Sequence, residues 1–337
     1  MSGCGLPAVS WRMARRLLSV LALSLAVQTV HGAAAEWRPD RAVEIVATSG
    51  PGGANDVIAR SVQRLMQQKK LVTVPLSVVN KVGGGGVLGW AYLNQHPGDA
   101  HFISVSPVNL LIEHILGAST ITHTDVTPLA QLFSEYVAFE VRTDSALRSG
   151  RELLDRLKAD PGALSFAIAA SLGGANHIAT MQAMKAAGVD PRKLKFVVFA
   201  SGPQALTAVL GGHVDVAVVP VSGAAPPLQA ARVRVLAVSS ARRMGGAFAA
   251  IPTWKEQGVD AVYSSWRGMI GPKGLSDAQI AYWEDVITRM VQSDDWKKEM
   301  ETNYWESNFM NSSDARKFLK SQYDEYKSLL ADVGLAK

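Results

Sequence analysis

The sequence predicts an α/β protein of two domains, each a mostly parallel sheet flanked by helices. Three observations carry this. Short β-branched runs alternate with segments of helical periodicity. Several of those runs end in glycine- and serine-rich turns that lead straight into a helix. The roughly 300 residues that follow the N-terminal leader exceed what one core usually supports.

The leader comes first. Met13-Ala14-Arg15-Arg16 is basic, Leu17 to Val30 is mostly apolar, and Ala33-Ala34-Ala35 offers small residues for cleavage. This pattern predicts a signal peptide over residues 1–35, cut near Ala35, with Met13 a better start than Met1. Export to the periplasm follows as an expectation. Removing the leader takes Arg12, Arg15 and Arg16 and no acid, so the net charge falls from +5 to +2. The isolated pairs Arg242-Arg243 and Lys297-Lys298 make no basic stripe, which argues against nucleic acid. The single cysteine, Cys4, precedes the expected cut, so thiol and disulfide chemistry are not expected.

Val43 to Ala47 reads as a buried strand. It is followed by Ser49-Gly50-Pro51-Gly52-Gly53-Ala54-Asn55-Asp56 and by Val57, Ile58, Val62, Leu65 and Met66 at helical spacing. Strand, glycine turn and helix together aim free backbone N–H groups at an anion. Val74 to Val79 leads to Gly83-Gly84-Gly85-Gly86, which lacks the phosphate-loop lysine and the dinucleotide spacing and reads as a second ligand-facing loop or a close-packing turn, the turn favoured. Phe102 to Val105 ends at Ser106, at the same carboxyl edge.

A strand over Tyr136 to Val141 and a helix over Ser149 to Ala159 follow. The first pattern then recurs twice. Leu164 to Ala169 runs into Ala170-Ser171-Leu172-Gly173-Gly174-Ala175-Asn176-His177 and a helix. Phe196 to Phe199 runs into Ser201-Gly202-Pro203 and another helix. Val214 to Val219 and Val233 to Val238 are further strands. Two α/β domains whose Gly/Ser loops face each other make a cleft. Four of the eight tryptophans lie between 266 and 305; at helical spacing such aromatics are core residues, and Trp266 alone is a candidate for the cleft wall.

In order along the chain, these segments resemble the substrate-binding proteins of tripartite tricarboxylate transporters, the Bug family. The matching pieces are Ser49 to Gly53 with Asp56 and Arg60, Val78-Val79-Asn80-Lys81, and Arg142-Thr143-Asp144-Ser145. Asp160-Pro161-Gly162, Gly211-Gly212-His213-Val214-Asp215, Leu236-Ala237-Val238 and Pro252-Thr253 complete the set. The resemblance implies a type II periplasmic-binding-protein fold joined by two crossovers, near Glu140 to Arg142 and Ala237 to Ser239. Residues 36–139 with 241–337 would form one domain and 140–240 the other. It also implies a monomer that closes on a small carboxylate, a di- or tricarboxylate or related organic acid, and presents it to integral-membrane transporter subunits, or to a signalling partner. Carried over, the ligand-binding positions are Pro51, Gly52, Gly53, Ala54, Asn55 and Asp56 on one side and Ser171, Gly173, Gly174, Asn176 and His177 opposite. The reading of the loops themselves adds Ser49, Ser106 and Ser201, and gives Asp56 the alternative task of capping its helix. The pattern departs from the family at Asn55, where threonine is usual, at Lys81-Val82-Gly83, and at Ala200, where many members carry lysine.

Other chemistries fare worse. Ala169-Ala170-Ser171-Leu172-Gly173 approaches a nucleophile elbow, with Asp190 and His213 following in hydrolase order, but the first glycine is alanine. His96 and His101, or Glu113-His114, do not make a metal motif. The expectation is a non-enzymatic protein without cofactor or metal.

Overall fold

The computed structural model describes residues 1–3, 37–332 and 335–336, and the chain from Trp37 onward forms one unit. Residues 4–35 of the expected leader, with its cleavage point, Met13 and Cys4, lie outside the described residues.

Taken in chain order, the strands are β1 (Val43–Ala47), β2 (Leu76–Asn80), β3 (Phe102–Pro107), β4 (Val126–Glu135), β5 (Val137–Arg142), β6 (Ser165–Ala169), β7 (Lys195–Phe199), β8 (Val216–Pro220), β9 (Val233–Val238), β10 (Ser265–Pro272) and β11 (Glu306–Met310). They build a six-stranded sheet of order β11-β4-β10-β3-β1-β2 and a five-stranded sheet of order β7-β6-β8-β5-β9. Pairs β1–β2, β1–β3, β6–β7 and β6–β8 are parallel. Strands β10 and β5 pair antiparallel to their neighbours. Each sheet thus receives one antiparallel strand just after the chain has crossed from the other, which is the topology of the type II periplasmic-binding-protein fold.

Helix Ala54–Gln68 shows how the sequence drives the packing. Ile58, Val62, Leu65 and Met66 recur at helical spacing, and all are buried in a core shared with Val43 and Ile45 of β1. Each such side chain is worth about 1.5–3 kcal/mol when fully removed from water. The same core takes in Trp283, Trp296 and Trp305, the last stacked on Phe133 with ring centroids 4.1 Å apart.

The crossings differ from the expected positions. Glu140 to Arg142 lie inside β5, where Glu140 pairs with Ala217 of β8 and Val235 of β9, so no bend is available there. The chain passes between the sheets at Tyr136, the one residue separating β4 from β5. On the return, residues 241–262 still pack on the second sheet. Trp254 sits edge-on to Phe139, and the Gln257 amide donates to Leu236 O at 3.1 Å. The return therefore falls near Tyr263 to Ser265. Ser239 ties both crossings together: its Oγ accepts from Val137 N–H (2.9 Å) and donates to Tyr263 O (2.6 Å).

Candidate functional site

Three helices begin at one place. The helices Ala54–Gln68, Ala175–Ala186 and Gly202–Leu210 have Gly53, Gly174 and Ser201 as N-caps, and none of these caps supplies a side-chain hydrogen bond. Apart from Asp56 N–H, which donates to Ser49 Oγ at 3.1 Å, and Pro203, which has no N–H, the leading donors of these helices are left for another acceptor. All three starts open on a cavity of about 470 Å³ between the two sheets, walled by Gly53, Ala54 and Asn55, by Ala175 and Asn176, and by Ser201 and Gly202. The helix dipoles add roughly 0.3–1 kcal/mol each toward an anion placed there, and more when water is excluded. Small residues are needed at these starts because a bulky side chain would keep the ligand from the backbone.

Of the residues expected from sequence, Ser49, Gly52, Gly53, Ala54, Asn55, Asn176 and Ser201 line this cavity. Seven others do something else. Pro51 is exposed at the tip of its loop. Asp56 is buried and turned back into the loop, accepting from Gly52 N–H (2.9 Å), Asn80 Nδ2 (2.8 Å) and Arg60 Nε (3.0 Å). Burial pushes its carboxyl up. The hydrogen bonds from Arg60, Asn80 and Gly52, with the Arg60 charge, outweigh that and hold it below the usual range. It shapes the loop. Ser106 is buried within β3 opposite Gly268.

Ser171, Gly173 and Gly174 pack against the other half of the molecule. The Ser171 hydroxyl donates to the Glu113 carboxyl and accepts from Asn109 Nδ2 at 3.3 Å. A Cβ on Gly173 would stand 2.2 Å from Leu116 Cδ1, and one on Gly174 would stand 2.9 Å from Asn109 Nδ2. These contacts join helix Asn109–Ile115 to the β6 loop and clasp the two halves beside the cavity. Burial raises the Glu113 carboxyl above its ordinary value, and the hydrogen bonds from Ser171 and Asn109 pull it back. His177 accepts from Gly173 N–H through Nδ1 at 2.8 Å and lies edge-on to Phe196. Burial drives its pKa down to about 4, so it is neutral.

The four-glycine run is a close-packing turn. Gly83 to Gly86 all have positive φ, and a Cβ on Gly85 would sit 2.0 Å from Glu113 Oε1. Trp266 belongs to the core, against Phe318, and it is Trp305 that reaches the cavity wall.

Sequence reasoning missed the charged wall. Glu135 from β4, Glu140 from β5 and Arg267 from β10 all line the cavity although each is at most 5% exposed. Arg267 and Glu135 form a buried ion pair at 2.6 Å, with Ser222 Oγ donating to the second Glu135 oxygen at 3.2 Å. Burial raises the Glu135 carboxyl and the Arg267 charge opposes that rise. A lone charge inside an otherwise apolar run, as at Glu140 in Val137–Arg142, is the signal that could have found them.

The nucleophile reading finds no support in these contacts. The strained residue at the turn is Ala170, with φ +73, whereas a nucleophile elbow strains the nucleophile itself. Asp190 is committed to Arg192 at 3.0 Å. Among the described residues no group of three His, Cys, Asp or Glu side chains is placed to hold a metal ion, and no helix is long and apolar enough to cross a membrane.

Comparison with known proteins shows the same fold. BugT of Bordetella pertussis is 26% identical over 82% of this chain and 85% of its own length. Among solved structures, the periplasmic binding protein BugD superposes with a TM-score of 0.81 at 22% identity, covering 89% of this chain and 99% of that one. A protein of R. palustris solved with adipate gives 0.81 at 20% identity, with 88% and 99% covered. The model of the tripartite tricarboxylate transporter family receptors matches residues 58–335. The chain belongs to the tripartite tricarboxylate transporter receptor family.

Proposed function

We propose that this receptor is exported, loses residues 1–35 on the way, and captures a small organic carboxylate between its two halves. As a monomer it then delivers the ligand to the integral-membrane subunits of a tripartite tricarboxylate-type transporter. The observation that carries the reading is the convergence of three uncapped helix N-termini on one cavity. Such a cavity holds an anion by backbone dipoles and needs no free cation, and Arg267 is already neutralised by Glu135. The adipate carried by the R. palustris neighbour is a ligand of the same chemical kind. Capture and release require the halves to part, with Tyr136 and the Ser239–Tyr263 contact as the bending points and the Ser171–Glu113 contact as the clasp that forms on closure. Non-enzymatic capture accounts for a cleft whose serine is committed to holding the halves together.

The test is a thermal-shift screen of the purified protein against mono-, di- and tricarboxylates, aromatic acids and amino acids. A true ligand at a hundred times its dissociation constant stabilises by about 2.7 kcal/mol, a clear rise in midpoint. Uniform silence across the panel would contradict the proposal.

A further inference from the structure

Glu140 is fully buried, and neither of its carboxyl oxygens has a hydrogen-bond partner, yet it forms part of the cavity wall beside Ala169, Leu206 and Val219. A buried acid left unpaired costs stability, so its partner is to be sought in something that enters the cavity. The surroundings leave it isolated. Helices Gly202–Leu210 and Val221–Gln229 and strand β8 carry no ionisable side chain, and neither does β6. Arg234 of β9 is occupied by the carbonyls of Thr143, Ser145 and Leu147, and Arg142 by Asp144. The other charged groups of the wall, Glu135 and Arg267, pair with each other at 2.6 Å, and Arg267 Nε is left without a hydrogen-bond partner. Burial alone raises the Glu140 pKa to about 8.

A second observation points the same way. Helix Val221–Gln229 contains Pro226 and Pro227. Proline has no N–H, so the carbonyls of Ser222 and Gly223 lose their helical donors. All four residues line the cavity. One part of the wall therefore offers mainly donors, from three helix starts, with the unpartnered Oδ1 of Asn55 among them. Another part offers acceptors: a carboxyl and two carbonyls without helical partners.

We propose that the cavity is built for a zwitterion, its carboxylate held by the helix N-termini and its cationic nitrogen held by Glu140 with the Ser222 and Gly223 carbonyls. This rests on the carboxylate-receptor reading and narrows it. A second carboxylate on the ligand would meet Glu140 with no free cation to balance it. A cationic nitrogen supplies the partner Glu140 lacks and draws off its proton.

The test is titration calorimetry of the purified protein with ω-amino acids of three to six carbons, the matching alkanoates and the matching dicarboxylates, at pH 6, 7 and 8. At least one amino acid should bind about tenfold or more tightly than its alkanoate and dicarboxylate counterparts. Its affinity should rise toward tenfold per pH unit, because Glu140 must release a proton to pair. Glu140→Gln should abolish both the preference and the pH slope while leaving the circular dichroism spectrum unchanged. Pro226→Ala restores a donor to the Ser222 carbonyl and should reduce the preference severalfold. If a dicarboxylate binds best and Glu140→Gln leaves the ratio unchanged, the zwitterion inference falls and the receptor reading stands. If no carboxylate of any kind binds, both fall.

Discussion

Replacing Glu140 by glutamine should make the unliganded protein more stable, by an amount that grows with pH. The side chain is fully buried and its pKa rises from an ordinary 4.5 to about 8, through burial alone. Folding therefore makes this carboxyl hold a proton that the unfolded chain gives up. The native state binds more protons, so stability falls as pH rises from about 4.5 to about 8, by about 1.4 kcal/mol per unit. At pH 7 the accumulated cost is about 3 kcal/mol, while at pH 5 it is under about 1 and by pH 9 it nears 5. Glutamine keeps the shape of the neutral acid and removes the titration. An unfolding entropy near 2.1 cal/mol/K per residue over about 300 residues converts the pH 7 figure to a rise in Tm of about 5 °C. Thermal melts of both proteins from pH 5 to 9 supply the difference curve. His177, whose pKa falls to about 4, contributes an opposite slope in acid, and subtraction cancels it. A gap that stays constant with pH, or a variant less stable than its parent at pH 9, would refute the reasoning.

Four further outcomes follow from particular contacts. His177→Gln should remove an acid-side loss of stability: the folded ring stays neutral down to about pH 4, so the wild type loses about 1.4 kcal/mol per unit below pH 6.5, and the variant's shallower melt profile checks it. Ser171→Ala withdraws a hydrogen bond from buried Glu113 and should cost about 1–3 kcal/mol in urea unfolding, with a larger radius of gyration by X-ray scattering as the clasp loosens. Gly85→Ala should be the harshest of the loop changes, since it needs φ +67 and puts a Cβ 2.0 Å from Glu113 Oε1; a loss of several kcal/mol in denaturant midpoint is expected. Asp56→Ala removes the acceptor of Gly52, Asn80 and Arg60 and should both destabilise by about 2–4 kcal/mol and weaken any ligand, read by melts and calorimetry together.

What was legible in the sequence was local. Val43–Ala47 and Val233–Val238 begin and end where the apolar runs do, because a short β-branched run bounded by turn residues has little else to be. The glycine loops also announced the helix starts, and the cavity gathers three of them. Strand β4 escaped notice because all ten of its residues are buried and Pro128 interrupts it, leaving neither alternation nor a clean run. Helix Val221–Gln229 escaped because two interior prolines argue against a helix. The sequence brings Asp56, Ser171 and His177 to the loops beside the cavity but does not show the direction of their hydrogen bonds, which is a tertiary property. Asp56 faces its own loop, Ser171 faces Glu113 and His177 faces Gly173. The crossover was misjudged by a few residues because β4 and β5 are separated by Tyr136 alone, with no glycine or proline to mark the passage.

The central claim, that the cavity between the sheets takes a carboxylate on its helix N-termini, is tested most directly by calorimetry on one variant. Gly202 lines the cavity at the start of its helix, and a Cβ there meets nothing closer than Val219 Cγ1 at 3.8 Å, so Gly202→Leu has room to fold. The account predicts saturable one-to-one binding of a small carboxylate to the parent and a loss of at least about tenfold in the variant, which is 1.4 kcal/mol or more. Binding of equal strength in a folded Gly202→Leu protein would place the ligand elsewhere and contradict it.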